Sequence, residues 1–142
     1  MHGSPRLYIW AAVACSALTA ATAQARVPRA ELDDALSVAA QKWGAVCTAP
    51  PTAHFHGLRS DTLGMATWDG MWDVPSDQRD GCRILLNSHK GWDWDRLCTT
   101  VVHEWGHLAG HGHSHEPGSP MDPSYAQPYG GCVRARAARR WP

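Results

Sequence analysis

Beyond residues 1–25 the chain has no apolar run approaching the roughly 20 residues that a membrane-spanning helix needs. Its formal net charge at pH 7 is zero, so the composition gives no argument for binding nucleic acid. It has no Cys-x-x-Cys pair, and its widely spaced cysteines argue against a cysteine-based metal site. A length of 142 residues is typical of one domain. The sequence therefore predicts one small domain without a charge-driven partner.

Residues 1–25 are typical of a secretory signal peptide. Arg6 makes the start of this segment positive, residues 7–23 are apolar and rich in alanine, and Ala23-Gln24-Ala25 forms an A-x-A cleavage site. We expect residues 26–142 to be the exported, extracellular domain, without stable membrane association after cleavage.

Four cysteines remain once the predicted signal peptide is removed: Cys47, Cys82, Cys98 and Cys132. An even number of cysteines in a small exported domain favours two disulfides. Such cross-links are useful because a chain of this size builds only a modest core.

Apolar periodicity and turn residues predict alternating helices and strands in an α+β domain. The predicted elements are helices over residues 29–46, from Asp93 or Asp95 onward and over 133–140, and strands over 52–58, 63–68 and 82–87.

The stretch from His103 to His113 carries the clearest chemistry. It begins with His-Glu-x-x-His, which places His103 and His107 on one helical face, where two imidazoles can bind one zinc ion. Glu104 lies about 100° further round the helix. A carboxylate there can polarise a zinc-bound water without itself becoming a ligand.

The third ligand is either His111 or His113, and helix geometry favours His113. On an unbroken helix His111 would lie roughly 12 Å along the axis from His103, whereas donors to one zinc ion lie about 2 Å from it. Gly110 can adopt a positive φ, end the helix and return the chain toward the metal. His113 is therefore the predicted third ligand.

The full pattern His-Glu-x-x-His-x-x-Gly-x-x-His, with Met121 following it, resembles the signature of the metzincin zinc peptidases. Ser114 after the last histidine and Asp122-Pro123 after the methionine are similar to the matrixin branch, the matrix-metalloproteinase-like enzymes. The resemblance implies a twisted mixed β-sheet packed on a long N-terminal helix and a catalytic helix, with a Met-turn and a short C-terminal helix. It also implies that residues 82–87 form the edge strand where an extended peptide binds.

The site and the resemblance together predict a secreted endopeptidase with one catalytic zinc ion. Zinc-bound water would attack a peptide carbonyl with Glu104 as general base, and Met121 would form an apolar floor beneath the metal. The expected partner is a peptide or protein substrate, and the domain is expected to be monomeric. Two alternatives stay open: a non-catalytic zinc-binding module closed by His111 or His115, and a metal-sequestering histidine-rich protein.

The matrixin resemblance also raises the question of structural calcium. Asp69, Asp73, Asp77 and Asp80 can donate oxygens to calcium, but their spacing matches no known calcium loop. Solvated loop carboxylates are the simpler interpretation.

Two features depart from the matrixin pattern. No Pro-Arg-Cys-Gly segment lies between Ala25 and the first predicted helix, so we expect no latency based on a propeptide cysteine. Asp122 stands where animal matrixins often carry tyrosine, which leaves the preference of the specificity pocket open.

Four cysteines allow three disulfide pairings. Resemblance to astacin-like relatives favours Cys82–Cys98 near the catalytic helix and Cys47–Cys132 reaching the C-terminal region. The longer of these loops would also give the larger entropic stabilisation, roughly 4–5 kcal/mol. The main rival pairing is Cys47–Cys82 with Cys98–Cys132.

Overall fold

A computed structural model of the chain describes residues 27–71 and 73–139. These residues form an α+β fold with a three-stranded sheet and three helices. The helices are α1 (Arg29–Trp43), α2 (Trp94–Leu108) and α3 (Gly130–Arg139), and the strands are β1 (Thr52–His56), β2 (Gly64–Asp69) and β3 (Asp80–Asn87). Residues 1–25, the predicted signal peptide, lie outside the described residues.

The N-terminal helix α1 packs against α2, as its apolar face predicts. Leu32, Ala35 and Ala39 are buried along one side of α1, and the indole of Trp43 donates a hydrogen bond to the Val102 carbonyl of α2 at 2.8 Å. The helix ends at Gly44, whose φ of 75° is readily adopted by glycine. This helix therefore packs along α2, the helix that carries His103 and His107.

The sheet has the order β1–β3–β2, with β1 parallel and β2 antiparallel to β3. The prediction that residues 82–87 form the edge strand is therefore wrong, because β3 is the central strand. Its apolar run explains the position: Ile84 and Leu86 are fully buried, as expected for a strand that is paired on both sides and covered by a helix. The edge nearest to α2 belongs instead to β2.

The disulfides are Cys47–Cys82 and Cys98–Cys132, so the predicted pairing of Cys82 with Cys98 and of Cys47 with Cys132 is wrong. Cys82 lies near the beginning of β3, at the opposite end of the strand from its connection to α2. It therefore faces Cys47, which precedes the parallel neighbour β1. Cys98 and Cys132 lie in the N-terminal parts of α2 and α3, which pack together.

The helix α2 begins where the sequence predicts and lies at the centre of the fold. The side chain of Asp93 caps it by accepting the Arg96 N–H at 2.8 Å. Leu97, Val101 and Leu108 are fully buried. Within the described residues, no helix combines the length and apolar character needed to cross a membrane.

Candidate metal centre

Three histidines from two segments converge at the C-terminal half of α2. His103 and His107 lie on consecutive turns of the helix, and His113 comes from the segment after it. Each offers one ligand atom, and these atoms lie within 4.8 Å of one another. The sequence named this set, and the structure brings it together.

The chain returns to the site through a turn at Gly110, as predicted. Gly110 has a φ of 90°, its N–H donates to the His107 carbonyl, and the N–H of His111 donates to the Gly106 carbonyl. These two hydrogen bonds are those of the Schellman motif, which ends helices at a left-handed residue. The turn carries the chain away from the helix axis and lets His113 approach His103 and His107.

Backbone carbonyls orient the two helical imidazoles. Nδ1 of His103 lies 2.9 Å from the Pro120 carbonyl, and Nδ1 of His107 lies 2.9 Å from the His111 carbonyl. Because a carbonyl only accepts, each Nδ1 carries the proton and each Nε2 of the neutral ring keeps its lone pair. The two Nε2 atoms lie 3.1 Å apart, so two lone pairs face each other. A shared cation relieves this repulsion, whereas a direct hydrogen bond would require protonating one ring.

Burial keeps these imidazoles neutral. It lowers the pKa of His103 to about 4. The hydrogen bond to the Pro120 carbonyl opposes this shift, and the neighbouring His107 and His113 rings add to it. Burial likewise lowers the pKa of His107. Because protons compete with metal for the same lone pair, a lowered pKa leaves the donors free at neutral pH.

Glu104 lies beside the histidines and is almost completely buried. Burial raises the pKa of its carboxyl to about 7, opposed by hydrogen bonds from the Ala66 N–H and the Tyr125 hydroxyl. The helix approaches β2 closely here because residue 64 is glycine. A Cβ at that position would lie 2.7 Å from Thr100 Cγ2 and 3.0 Å from Glu104 Cγ.

Met121 is buried and packs directly on the backbone of α2 at Gly106. A Cβ at Gly106 would overlap the Met121 sulfur and come within 3.1 Å of Trp43. The Met121 carbonyl accepts the Ser114 N–H at 3.0 Å, which ties the methionine to the residue after His113. Met121 is therefore a packing residue that joins the helix to the returning segment.

Tyr125 is a residue of the site that the sequence analysis missed. Its ring centroid lies 5.0 Å from that of His103, and its hydroxyl hydrogen-bonds the Glu104 carboxylate. Burial, followed by the Glu104 charge, raises the pKa of Tyr125 well above its usual range. Its φ of 50° is the one positive value among non-glycine residues in the described part of the chain. No sequence motif identified Tyr125. Its position four residues after Met121 was the one feature of the sequence that placed it near the predicted metal site.

The remaining predicted metal-site residues do not join this group. His111, the rejected third ligand, lies with its ring centroid 4.4 Å from that of Trp43. Asp69 pairs with Arg83 at 2.5 Å, and Asp80 accepts a hydrogen bond from Thr48. Within residues 27–71 and 73–139 the three histidines are the one group of three or more such side chains whose ligand atoms lie close together, and the carboxylates considered for calcium do not form such a group there.

A cavity of about 500 Å³ opens over the histidines and Glu104. One wall is formed by β2 and the residues before it, from Asp61 to Ala66 together with Trp68, and the other by Pro123 and Tyr125. Because β2 is an edge strand of the sheet, the cavity runs alongside backbone groups that can pair with an extended chain.

Comparison of the chain with models of known protein families, with curated proteins and with solved structures finds no match.

Proposed function

We propose that this protein is a secreted zinc-dependent endopeptidase of the metzincin type, with a matrixin-like site. One observation carries the proposal: three histidine ligand atoms within 4.8 Å of one another, with Glu104 beside them. The motif and Met121 supply the family resemblance, and the cavity along an edge strand supplies room for a peptide.

The donor set fits zinc. Three neutral imidazoles are typical of catalytic zinc sites that keep one position open. His103, His107 and His113 would hold the ion, with the first two oriented by the carbonyls of Pro120 and His111. Such outer partners are usual for metal-binding histidines, because they fix the tautomer and the ring orientation. When bound, the metal supplies Lewis-acid chemistry that lowers the pKa of water and polarises a carbonyl.

Glu104 moves the proton in the proposed reaction. Its carboxylate takes a proton from the attacking water as the water oxygen bonds to the peptide carbonyl carbon. The proton is then returned to the departing nitrogen as the carbon–nitrogen bond breaks. A base is most efficient when its pKa lies near the working pH, and burial brings that of Glu104 to about 7. The Ala66 N–H and Tyr125 hydroxyl hold the carboxylate in place while its charge changes.

The free edge of β2 would bind the substrate backbone. An extended peptide can add to an edge strand through main-chain hydrogen bonds, with alternate side chains pointing into the cavity. Met65 is exposed on this strand and lines the cavity with Ala66. Pro123 and Tyr125 close the opposite wall and limit the side chain accepted there.

A non-catalytic zinc-binding module is the alternative proposal. Structural zinc is normally closed by a fourth protein ligand. His111 lies against Trp43, and the group of described residues with suitable geometry contains three histidines. The alternative therefore lacks its fourth ligand among the described residues, which favours the catalytic proposal.

Export from the cell belongs to the same proposal. The two disulfides are typical of proteins that fold in oxidising compartments, which agrees with the predicted signal peptide.

A peptide library incubated with the purified protein tests the proposed activity. Cleavage that is abolished by a chelator and restored by zinc is expected, with one zinc ion bound per chain. Stoichiometric zinc without cleavage of any peptide would favour the non-catalytic module. Zinc bound well in excess of one ion per chain would favour metal sequestration.

A further inference from the structure

The end of α2 is held by the side chain of Arg79, a residue outside the histidine motif. Nη1 of Arg79 donates to the Leu108 carbonyl at 2.8 Å, and Nε donates to the Val74 carbonyl at 3.1 Å. The guanidinium also rests on the Trp68 ring, with Cζ 4.1 Å from the centroid. Contacts to three separate segments fix the guanidinium in one place.

The Leu108 carbonyl needs this partner. The last carbonyls of an α-helix receive no hydrogen bond from an N–H within the helix. Those of Gly106 and His107 accept the hydrogen bonds of the Schellman motif. No backbone N–H in the described part of the chain donates to Leu108, so Arg79 supplies its hydrogen bond. A cation is also favourable here because the C-terminal end of a helix carries partial negative charge.

The backbone of Arg79 is itself anchored. Its carbonyl accepts the Thr48 N–H at 3.0 Å, and Thr48 follows Cys47, which is joined to Cys82. The disulfide therefore joins the segment that contains Thr48 to the strand that follows Arg79. Because its backbone is held in this way, the Arg79 side chain can keep the end of α2 in a defined position.

The held end of α2 leads directly into the metal centre. Leu108 follows His107 and precedes the Gly110 turn, and the turn supplies both the His111 carbonyl that orients His107 and the approach of His113. We propose that Arg79 is a positioning residue for the metal centre, which fixes the turn between the second and third histidines. This inference rests on the proposed metal site.

The test compares Arg79→Met with Arg83→Met. Arg83 belongs to the same stretch of chain, but its guanidinium pairs with Asp69 in an exposed ion pair, so it is a matched control. Zinc affinity is measured by competition with a chromophoric chelator, and the ligand field is measured from the absorption of bound Co²⁺. Amide hydrogen exchange at Gly110 and His111 is measured on the metal-free protein.

For Arg79→Met we expect about a 10- to 100-fold loss of zinc affinity, as is usual for outer residues that orient ligands. We also expect an altered Co²⁺ spectrum and faster exchange at Gly110 and His111. Arg83→Met should match the parent in all three measurements. Arg79→Lys, which keeps the charge but not the forked geometry, should give an intermediate loss, and it replaces the methionine variant if that one does not fold.

Parent-like zinc affinity, Co²⁺ spectrum and amide exchange in Arg79→Met would overturn the inference, even if its melting temperature falls. That outcome would leave Arg79 as a purely structural contact and the proposed function intact. Failure of the parent protein to bind zinc would refute the proposed function instead. In that case, unchanged exchange at Gly110 and His111 in Arg79→Met would refute the positioning role as well.

Discussion

The candidate site is built from two unlike halves. The helical half, His103 and Glu104 on α2, is buried among core side chains, and its spacing follows from helix geometry. The returning half, from Ala109 to Tyr125, is irregular and carries an exposed His113. It is held by a few specific contacts, namely the Gly110 turn, the Ser114–Met121 hydrogen bond and the Pro120 carbonyl on His103.

This difference shows how a short motif can specify a site. A helix places two donors and a carboxylate by repetition alone, because residues four apart share a face. The third donor requires a turn whose direction depends on surrounding contacts. We therefore expect the catalytic step to depend on Glu104 in the helical half, whereas substitutions in the returning half should act through metal binding and packing.

The largest effect is expected in the helical half, for Glu104→Ala. If Glu104 is the general base, activity should fall by about 10²–10⁴-fold, whereas zinc content should stay at the parent level because the carboxylate is not among the grouped ligand atoms. A fluorogenic peptide assay beside metal analysis measures both. Parent-like turnover in the variant would refute the assignment of Glu104.

The next comparison lies within the returning half, between His113→Ala and His111→Ala. Losing His113 should weaken zinc binding by more than about 100-fold, beyond the range typical of residues that only orient ligands. His111→Ala should cost far less, because its ring lies on Trp43 and only its backbone carbonyl contacts His107. Zinc titrations decide the matter, and equal or reversed losses would show that the ligand choice was wrong.

The junction of the two halves can be tested by Gly106→Ala. The added Cβ would overlap the Met121 sulfur, and overpacking of this kind costs about 1–3 kcal/mol, against a gain of about 1 kcal/mol in helix propensity. A net loss of stability is expected in urea unfolding. Gly112→Ala is the matched control, because a Cβ there meets no atom within 4 Å. Equal stability of the two variants would contradict the expected net loss, because it would show that moving Met121 costs no more than the gain in helix propensity.

The last comparison concerns the pH dependence of the metal-free protein. Because the pKa of Glu104 is raised from 4.5 to about 7 in the folded state, the unfolded chain loses this proton first as pH rises. Glu104 therefore lowers the free energy of unfolding progressively between about pH 4.5 and 7. Glu104→Gln should remove that loss and be more stable than the parent above pH 7, by about 1–3 kcal/mol.

Chemical denaturation of both proteins at pH 4.5 and at pH 8 measures this difference. The advantage of the glutamine variant should be larger at pH 8. The histidines contribute in the opposite direction, since His103 has a lowered pKa and its neutral form is the favoured one in the fold. They are common to both proteins and cancel in the comparison. An advantage that is independent of pH would contradict the assigned burial of the carboxyl.

Patterns among neighbouring residues were sufficient to predict the helices and strands. The sequence predicted α1, a start of α2 at Asp93 or Asp95, and the three strands to within a few residues, because apolar periodicity and capping are properties of neighbouring residues. It also predicted the turn at Gly110 from the distance between candidate ligands along a helix. The predicted roles of the histidines and Glu104 in binding zinc and in catalysis stay predictions.

Contacts between distant segments were beyond the reach of such rules. The edge position of residues 82–87 and the disulfide pairing were both mispredicted, because each depends on which elements meet in space. Tyr125 reaches Glu104 only because the returning segment folds over the cavity.

The sequence by itself determined the relative placement of His103, Glu104 and His107, because the spacing of residues along a helix fixes the directions of their side chains. Only the tertiary structure decided what surrounds them. Three contacts join residues that are separated in the chain: β2 approaches α2 at Gly64, Met121 packs on Gly106, and Arg79 donates a hydrogen bond to the Leu108 carbonyl. Such contacts form when separate elements pack, so no local pattern encodes them.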